Sequence, residues 1–298
     1  PELALGNVPA DFKYRYNWNA PIIADPFDPN TVYHAGNVVF KTEDAGQSWA
    51  VISPDLTRDK PEQQVPGGGP YTNEAAGGEN YNTIMYLAAS PHERGLLWAG
   101  SDDGLVHLTR NGGQSWENVT PKGMPEGIVN SIEVSPHDPA TAYMVLMRYK
   151  FMDLDSYVYK TTDYGDSWDL ITGGLDDPNG FARVVREDPK RPGLLYAGTE
   201  TGLYVSLDGG ARWQRFQLNL PVVPVNDLTI RQNDLVAATA GRSFWILDDL
   251  APLQEFAGAG QGVALAPPKD TYLFTGGYQQ TPQPGQGQNP KSGVILNY

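Results

Sequence analysis

Glu79, Asp102, Asp103 and Glu200 are the side chains best placed for catalysis, because each falls in a segment linking strand-like runs. Asp153 and Asp155 share that setting. Cleavage of a glycosidic bond needs two carboxyls about 5–9.5 Å apart, one protonated and one ionised. The sequence does not say which two would meet, since 35 acidic residues put several near any loop cluster. Tyr81, Asn82, Arg148, Tyr149, Lys150 and Arg242 are the candidate ligand-binding residues of the same segments. Trp18, Tyr71, Phe151 and Tyr157 lie nearby, and aromatics interleaved with Asn and Gly suit sugar faces or peptide side chains.

Other chemistries lack their residues. The chain has no Cys, which excludes thiol catalysis and Cys-ligated metals. Four scattered His form no pair at metal-ligand spacing, so neither a metal nor a cofactor is predicted. Glycine-rich stretches lack the Lys-[Ser/Thr] of a phosphate loop. A net charge of −14 argues against nucleic acid, whose phosphates are bound by Lys and Arg. No apolar run is long enough to span a bilayer, so membrane insertion is not predicted.

The elements that must position these residues are repeats. The pattern [S/T]-x-[D/N]-x-G-x-x-W occurs at 42–49, 109–116, 161–168 and 206–213. It carries Asp44 with Trp49, Asn111 with Trp116, Asp163 with Trp168, and Asp208 with Trp213. The spacings between successive tryptophans are 67, 52 and 45 residues. The shortest is close to one four-stranded propeller blade, about 40–50 residues. Each copy is flanked by short β-rich runs separated by Gly, Pro, Asn and Asp. A degenerate fifth unit runs from 227 to 248. The reading is all-β, a β-propeller of four-stranded blades with at least five blades in this chain.

The motif fits a tight turn between the third and fourth strands. Its Asp accepts backbone N–H groups, its Gly supplies a positive φ, and its Trp fills a seam between sheets. Four copies argue for scaffold, since catalysis needs one site. The alternation of strands puts these turns on one rim of the disc. The loops between strands two and three, and those entering strand one, fall on the other rim. Those entering strand one are 57–82, 121–130, 173–180 and 219–225; of all the loops on this rim 57–82 and 148–156, the latter between strands two and three, are long, and function is placed on such insertions.

The repeat resembles the Asp box, or bacterial neuraminidase (BNR) repeat, of sialidases, xyloglucan-active glycosidases and sortilin-type propellers. The likeness runs over roughly residues 14–250. Segments 52–58, 100–107, 159–165, 184–189 and 241–250 are closer still to bacterial secreted proteins labelled sortilin-like or BNR-repeat glycosyl hydrolase. The sialidase arginine motif is absent. Members of that group are much longer, so the resemblance implies that this chain covers later blades of a larger ring. Further blades would come from missing sequence or another chain. It also implies an extracytoplasmic location: secreted, periplasmic or cell-surface. The expected organisation is blades over 1–256, a Gly/Pro/Gln-rich linker over 257–291, and the start of a truncated β domain over 292–298. The favoured function is non-catalytic recognition of a protein, peptide or glycan through the loop rim. The alternative is a glycoside hydrolase that uses rim carboxylates.

Overall fold

The computed structural model describes residues 9–65, 80–256, 265, 266, 268, 270 and 294–296. The first sheet is β1 (Ile22–Ala24), β2 (Val32–Ala35), β3 (Val39–Thr42) and β4 (Ala50–Val51). The second is β5 (Ile84–Ala89), β6 (Leu97–Ser101), β7 (Val106–Thr109) and β8 (Glu117–Asn118). The third is β9 (Ile128–Val134), β10 (Ala142–Met147), β11 (Tyr157–Thr161) and β12 (Asp169–Leu170). The fourth is β13 (Ala182–Glu187), β14 (Leu195–Thr199), β15 (Leu203–Ser206) and β16 (Gln214–Arg215). The fifth has three strands among the described residues: β17 (Val225–Arg231), β18 (Asp234–Thr239) and β19 (Phe244–Leu247). Every sheet is an antiparallel meander in chain order. Their first strands pack side by side as β1, β5, β9, β13 and β17. That is the architecture of a β-propeller.

Strand periodicity explains the packing. All of β10 is buried, because its alternate side chains enter two different seams. Ala142, Met144 and Leu146 meet Trp98 and Val106 of the second sheet, while Tyr143 and Val145 meet Leu195 and Trp213 of the fourth. The end sheets differ. In β2 only Tyr33 and Ala35 are buried, and in β18 only Leu235 and Ala237. Phe244 on β19 is 73% exposed, and Ile22 and Ile246 are also exposed. The described sheets therefore form an arc: the outer face of the fifth is uncovered, and that of the first is covered only in part, by Tyr14 and Tyr16 over Phe40 and His34.

The four repeated turns share one hydrogen-bond circuit. Thr42 Oγ1 donates to Asp44 at 2.7 Å and accepts the Gly46 N–H at 2.9 Å, while Asp44 accepts the Ser48 N–H at 2.9 Å. Thr109, Asn111, Gly113 and Ser115 repeat it, as do Thr161, Asp163, Gly165 and Ser167. In the fourth copy Arg212 stands where the others have Ser, and its N–H alone reaches Asp208 at 2.9 Å. The Ser48 hydroxyl and N–H, with the Thr42 hydroxyl, hold Asp44 down to about 2.

The turns also join neighbouring sheets. Trp116, Trp168 and Trp213 donate their indole N–H to the carbonyls of Ile52, Val119 and Ile171, each in the preceding blade. The motif glycines approach the same three residues. Gly113, Gly165 and Gly210 have φ of +93°, +90° and +94°, and a Cβ on each would lie within 2.4–2.8 Å of Ile52, Val119 and Ile171 respectively. Trp49 and Gly46 meet no preceding blade among the described residues; Trp49 is 43% exposed and the space beside Gly46 is open.

A short helix, α1 (Ala251–Phe256), follows the last strand, which the sequence reading does not foresee. Its Gln254 side chain donates to both oxygens of Asp188 and to Asn233, tying it to the turns of the fourth and fifth sheets. The expected linker and following β domain lie mostly outside the described residues, and 294–296 are in no strand. No described helix is long and apolar enough to cross a membrane.

Candidate functional site

The alternation of strands predicts two rims, and hydrogen bonds separate them. On the turn side, Ala45, Gly112, Tyr164 and Gly209 donate backbone N–H groups to carbonyls in the first turn of their own blades. His92 and His137 reach on to the Ser135 and Asp188 carbonyls of the next blade, at 3.0 and 2.7 Å. The loop side is held by side chains from different blades, and Glu126 is its centre. Its carboxylate accepts from Lys60 Nζ at 3.1 Å, Gln63 Nε2 at 3.0 Å and the Tyr81 hydroxyl at 3.0 Å. Burial alone would raise its pKa, but those three donors outweigh it and hold Glu126 below the ordinary glutamate value. Its backbone carbonyl accepts from Arg148 Nε at 2.9 Å.

Asp102 and Asp103 sit at the floor of this rim and are buried, at 2% and 0% exposure. Asp103 is saturated by Ser101 Oγ at 2.5 Å, the Arg58 N–H at 2.7 Å and Asn82 Nδ2 at 2.8 Å. Asn82 is buried and also bonds Gln63 and the Lys60 N–H, so its amide holds the floor together. Asp102 accepts the Thr83 N–H at 2.9 Å and bonds its hydroxyl at 3.0 Å. Burial pushes Asp102 up to about 7; the Thr83 N–H opposes this, the Asp103 charge adds to it, and the exposed Lys150 ammonium offsets part. Tyr81 keeps its proton because of burial and then the Glu126 charge.

The 148–156 insertion builds the outer part. Arg148 pairs with Asp153, whose carboxylate also accepts from the Tyr157 hydroxyl at 2.9 Å. The guanidinium lies 5.3 Å from the Phe151 ring centre. Tyr149 stacks on Phe181 with centroids 6.0 Å apart and planes at 15°. Tyr149, Phe151, Met152 and Leu154 are all exposed, so an aromatic and apolar ledge borders the Glu126 cluster. Glu200 is ion-paired to Arg183 at 2.5 Å, and Arg183 also lies over Phe181. Arg242 is exposed on the fifth sheet.

Of the sequence candidates, Tyr81, Asn82, Asp102 and Asp103 share one bonded neighbourhood, and Arg148 joins it through Glu126. Glu79 and Tyr71 lie outside the described residues. Glu126 and Phe181 were not singled out from the sequence. Both belong to or adjoin connections placed on this rim, 121–130 and 173–180, so position was the available signal. Among the described residues no group of three or more His, Asp or Glu is arranged to hold a metal ion.

Comparison places the fold among known proteins. No protein-family model matches the chain. It is 25% identical over 300 residues to the oligoxyloglucan-reducing end-specific xyloglucanase of Emericella nidulans. That match covers 86% of this chain and 36% of the enzyme, so the chain spans about a third of its curated relative. Among solved structures, an ancestral GH74 enzyme superposes with a TM-score of 0.58 at 18% identity, over 80% of this chain and 29% of its own. The GH74 xyloglucanase of Xanthomonas campestris gives 0.56 at 17% identity, over 78% and 37%. The shared property at these identities is the propeller fold.

Proposed function

We propose that the chain is part of an Asp-box (BNR-type, sortilin-like) propeller outside the cytoplasm that recognises a glycan through its loop rim. The observation that carries the reading is the exposed ledge of Tyr149 on Phe181, with Phe151 beside Arg148, bordering the polar Glu126–Tyr81 cluster. Flat aromatic faces next to fixed donors and acceptors are what a sugar ring requires. Likeness to a xyloglucanase favours a polysaccharide over the protein or peptide ligands that such a rim also suits. Lys150 and Arg242, both exposed, would add contacts to the ligand in this reading. The proposed organisation is propeller blades up to residue 256, followed by a Gly/Pro/Gln-rich segment over 257–291. The uncovered faces at Ile22 and Phe244 fit additional blades from the rest of a longer protein or from another chain.

Titration calorimetry with xyloglucan-derived oligosaccharides tests this. Saturable binding that Tyr149→Ala and Phe151→Ala abolish supports it. Absence of binding to any glycan, with capture of a peptide on the same face, replaces the glycan with a peptide.

Hydrolysis is the second reading, favoured by one observation: Asp102 is raised to about 7 while Glu126 on the same rim is held ionised. Environments that push two carboxyls apart mark an acid and a base. Asp102 would be the acid and Glu126 the base, with Glu79, Asp103 and Glu200 the other candidates. Burial of Asp102 and Asp103 in this arc makes recognition the first choice. Reducing-sugar release from xyloglucan that Asp102→Asn eliminates would reverse that order.

A further inference from the structure

The three side chains that donate to the Glu126 carboxylate come from the two ends of one insertion. Lys60 and Gln63 lie in 57–65 and Tyr81 in 80–82, the described parts of the 57–82 loop. Both ends are held by one short segment, 14–17, laid across the first sheet. Tyr14 meets Phe40 of β3 edge-on at 4.9 Å, and Tyr16 stacks on His34 of β2 at 5.5 Å. The crossing is close: a Cβ on Gly36 would lie 2.3 Å from the Arg15 carbonyl oxygen.

Arg15 makes the decisive contacts. It is 6% exposed. Its Nη2 pairs with Asp55 at 2.7 Å and with Asp59 at 3.1 Å, and lies 3.3 Å from Thr57 Oγ1. Its Nε donates to the Asn82 carbonyl at 3.2 Å. One planar guanidinium therefore reaches both ends of the insertion, a fork that a Lys ammonium cannot copy. Asp59 precedes Lys60 and Asn82 follows Tyr81, so each residue it grips is the chain neighbour of a Glu126 donor. Both gripped residues also have a positive φ, +46° at Asp59 and +59° at Asn82. Backbone of that kind persists where its surroundings over-determine it. Asn17 adds a stitch, donating to the Asn80 carbonyl at 3.2 Å, and Asn80 donates back to the Tyr16 carbonyl at 3.1 Å.

We infer that Arg15 is a positioning residue for ligand binding at the loop rim: it clasps the two ends of the 57–82 insertion so that Lys60, Gln63 and Tyr81 converge on Glu126. The inference rests on the glycan reading above for the ligand, while the clasp itself is independent of it. Arg15 is buried, so it acts through the groups it holds and not by touching a sugar. A site whose supporting contacts are loose binds poorly even when every contacting side chain is present. The segment keeps its own anchors without the guanidinium, because Tyr14, Tyr16 and Asn17 still meet Phe40, His34 and Asn80.

Arg15→Gln in the full chain tests this with two readouts that need no ligand. Hydrogen–deuterium exchange of 58–65 should speed up about tenfold or more, with the turn at 109–116 unchanged. The Glu126 carboxyl, followed by carbon NMR through a pH titration, should move upward, because its three donors are misplaced while its burial remains. A third readout uses the glycan: affinity for a xyloglucan oligosaccharide should fall about tenfold or more, the scale of one lost charged hydrogen bond. Arg15→Lys, which keeps the charge but not the fork, should recover only part of it. Circular dichroism checks the fold; if Arg15→Gln does not fold, Asp59→Asn, whose side chain is 56% exposed, carries the same readouts. A lower urea midpoint with exchange in 58–65 and the Glu126 titration both unchanged overturns the inference and leaves Arg15 an anchor of its own segment. If the parent binds no glycan, the glycan reading fails, and the first two readouts still decide the clasp.

Discussion

The indole of Trp168 in the third blade donates to the Val119 carbonyl of the second at 2.8 Å, and Gly165 of the same turn packs against the Val119 side chain. One residue of the preceding blade thus receives both repeated features of the next turn. Ile52 and Ile171 play the same part for Trp116 and Trp213. The repeat is therefore a blade-to-blade joint as well as a turn.

A joint predicts unequal costs for the same substitution. Trp213, 2% exposed, should cost about 3–5 kcal/mol when changed to Ala, as large core truncations do. Trp49→Ala in this chain should cost under about 1 kcal/mol, because Trp49 is 43% exposed and no described blade packs on it. Urea unfolding midpoints of the two variants measure the difference.

The glycines should show the same contrast. Gly46→Ala meets only the cost of a positive φ, about 1–2 kcal/mol. Gly210→Ala adds a collision with Ile171 and should cost about 1–3 kcal/mol more. Thermal melts of both proteins check it.

Most of this scaffold was legible in the sequence because its signals are local and repeated. Thr-x-Asp-x-Gly-x-x-Trp fixes a turn, and alternation along runs such as 142–147 fixes a buried strand. The rim was legible by position only. Loops 121–130 and 148–156 could be assigned to it, yet nothing local says that Tyr81, Lys60 and Gln63 converge on Glu126. Such contacts join residues 45–66 positions apart. The Arg15 clasp was hidden for the same reason, and α1 because six residues are too few for helical periodicity.

Arg186 makes a further prediction. Arg186→Met removes a buried partner of Asp227 and Glu133 and should cost about 3–5 kcal/mol. Refolding yield and urea midpoint report it.

Stability should also respond to pH in a defined direction. Asp102 rises from 3.8 to about 7 and Glu133 from 4.5 to about 7, both first through burial. Between these limits the folded chain holds protons that the unfolded chain has released, so this contribution is complete at about pH 4 and is lost as pH rises to about 7. Asp44 acts oppositely: its lowered value, about 2, gives stability above 3.8 that is lost as pH falls. Urea midpoints should therefore decline from about pH 4 to about pH 7, and Asp102→Asn should flatten that slope.

The central claim is that the loop rim is the working face and the turn rim is scaffold. Hydrogen–deuterium exchange with and without a xyloglucan oligosaccharide measures this directly. The account predicts new protection in 121–130 and 148–156, with the turns at 42–49, 109–116, 161–168 and 206–213 unchanged. Protection concentrated in those four turns would contradict it.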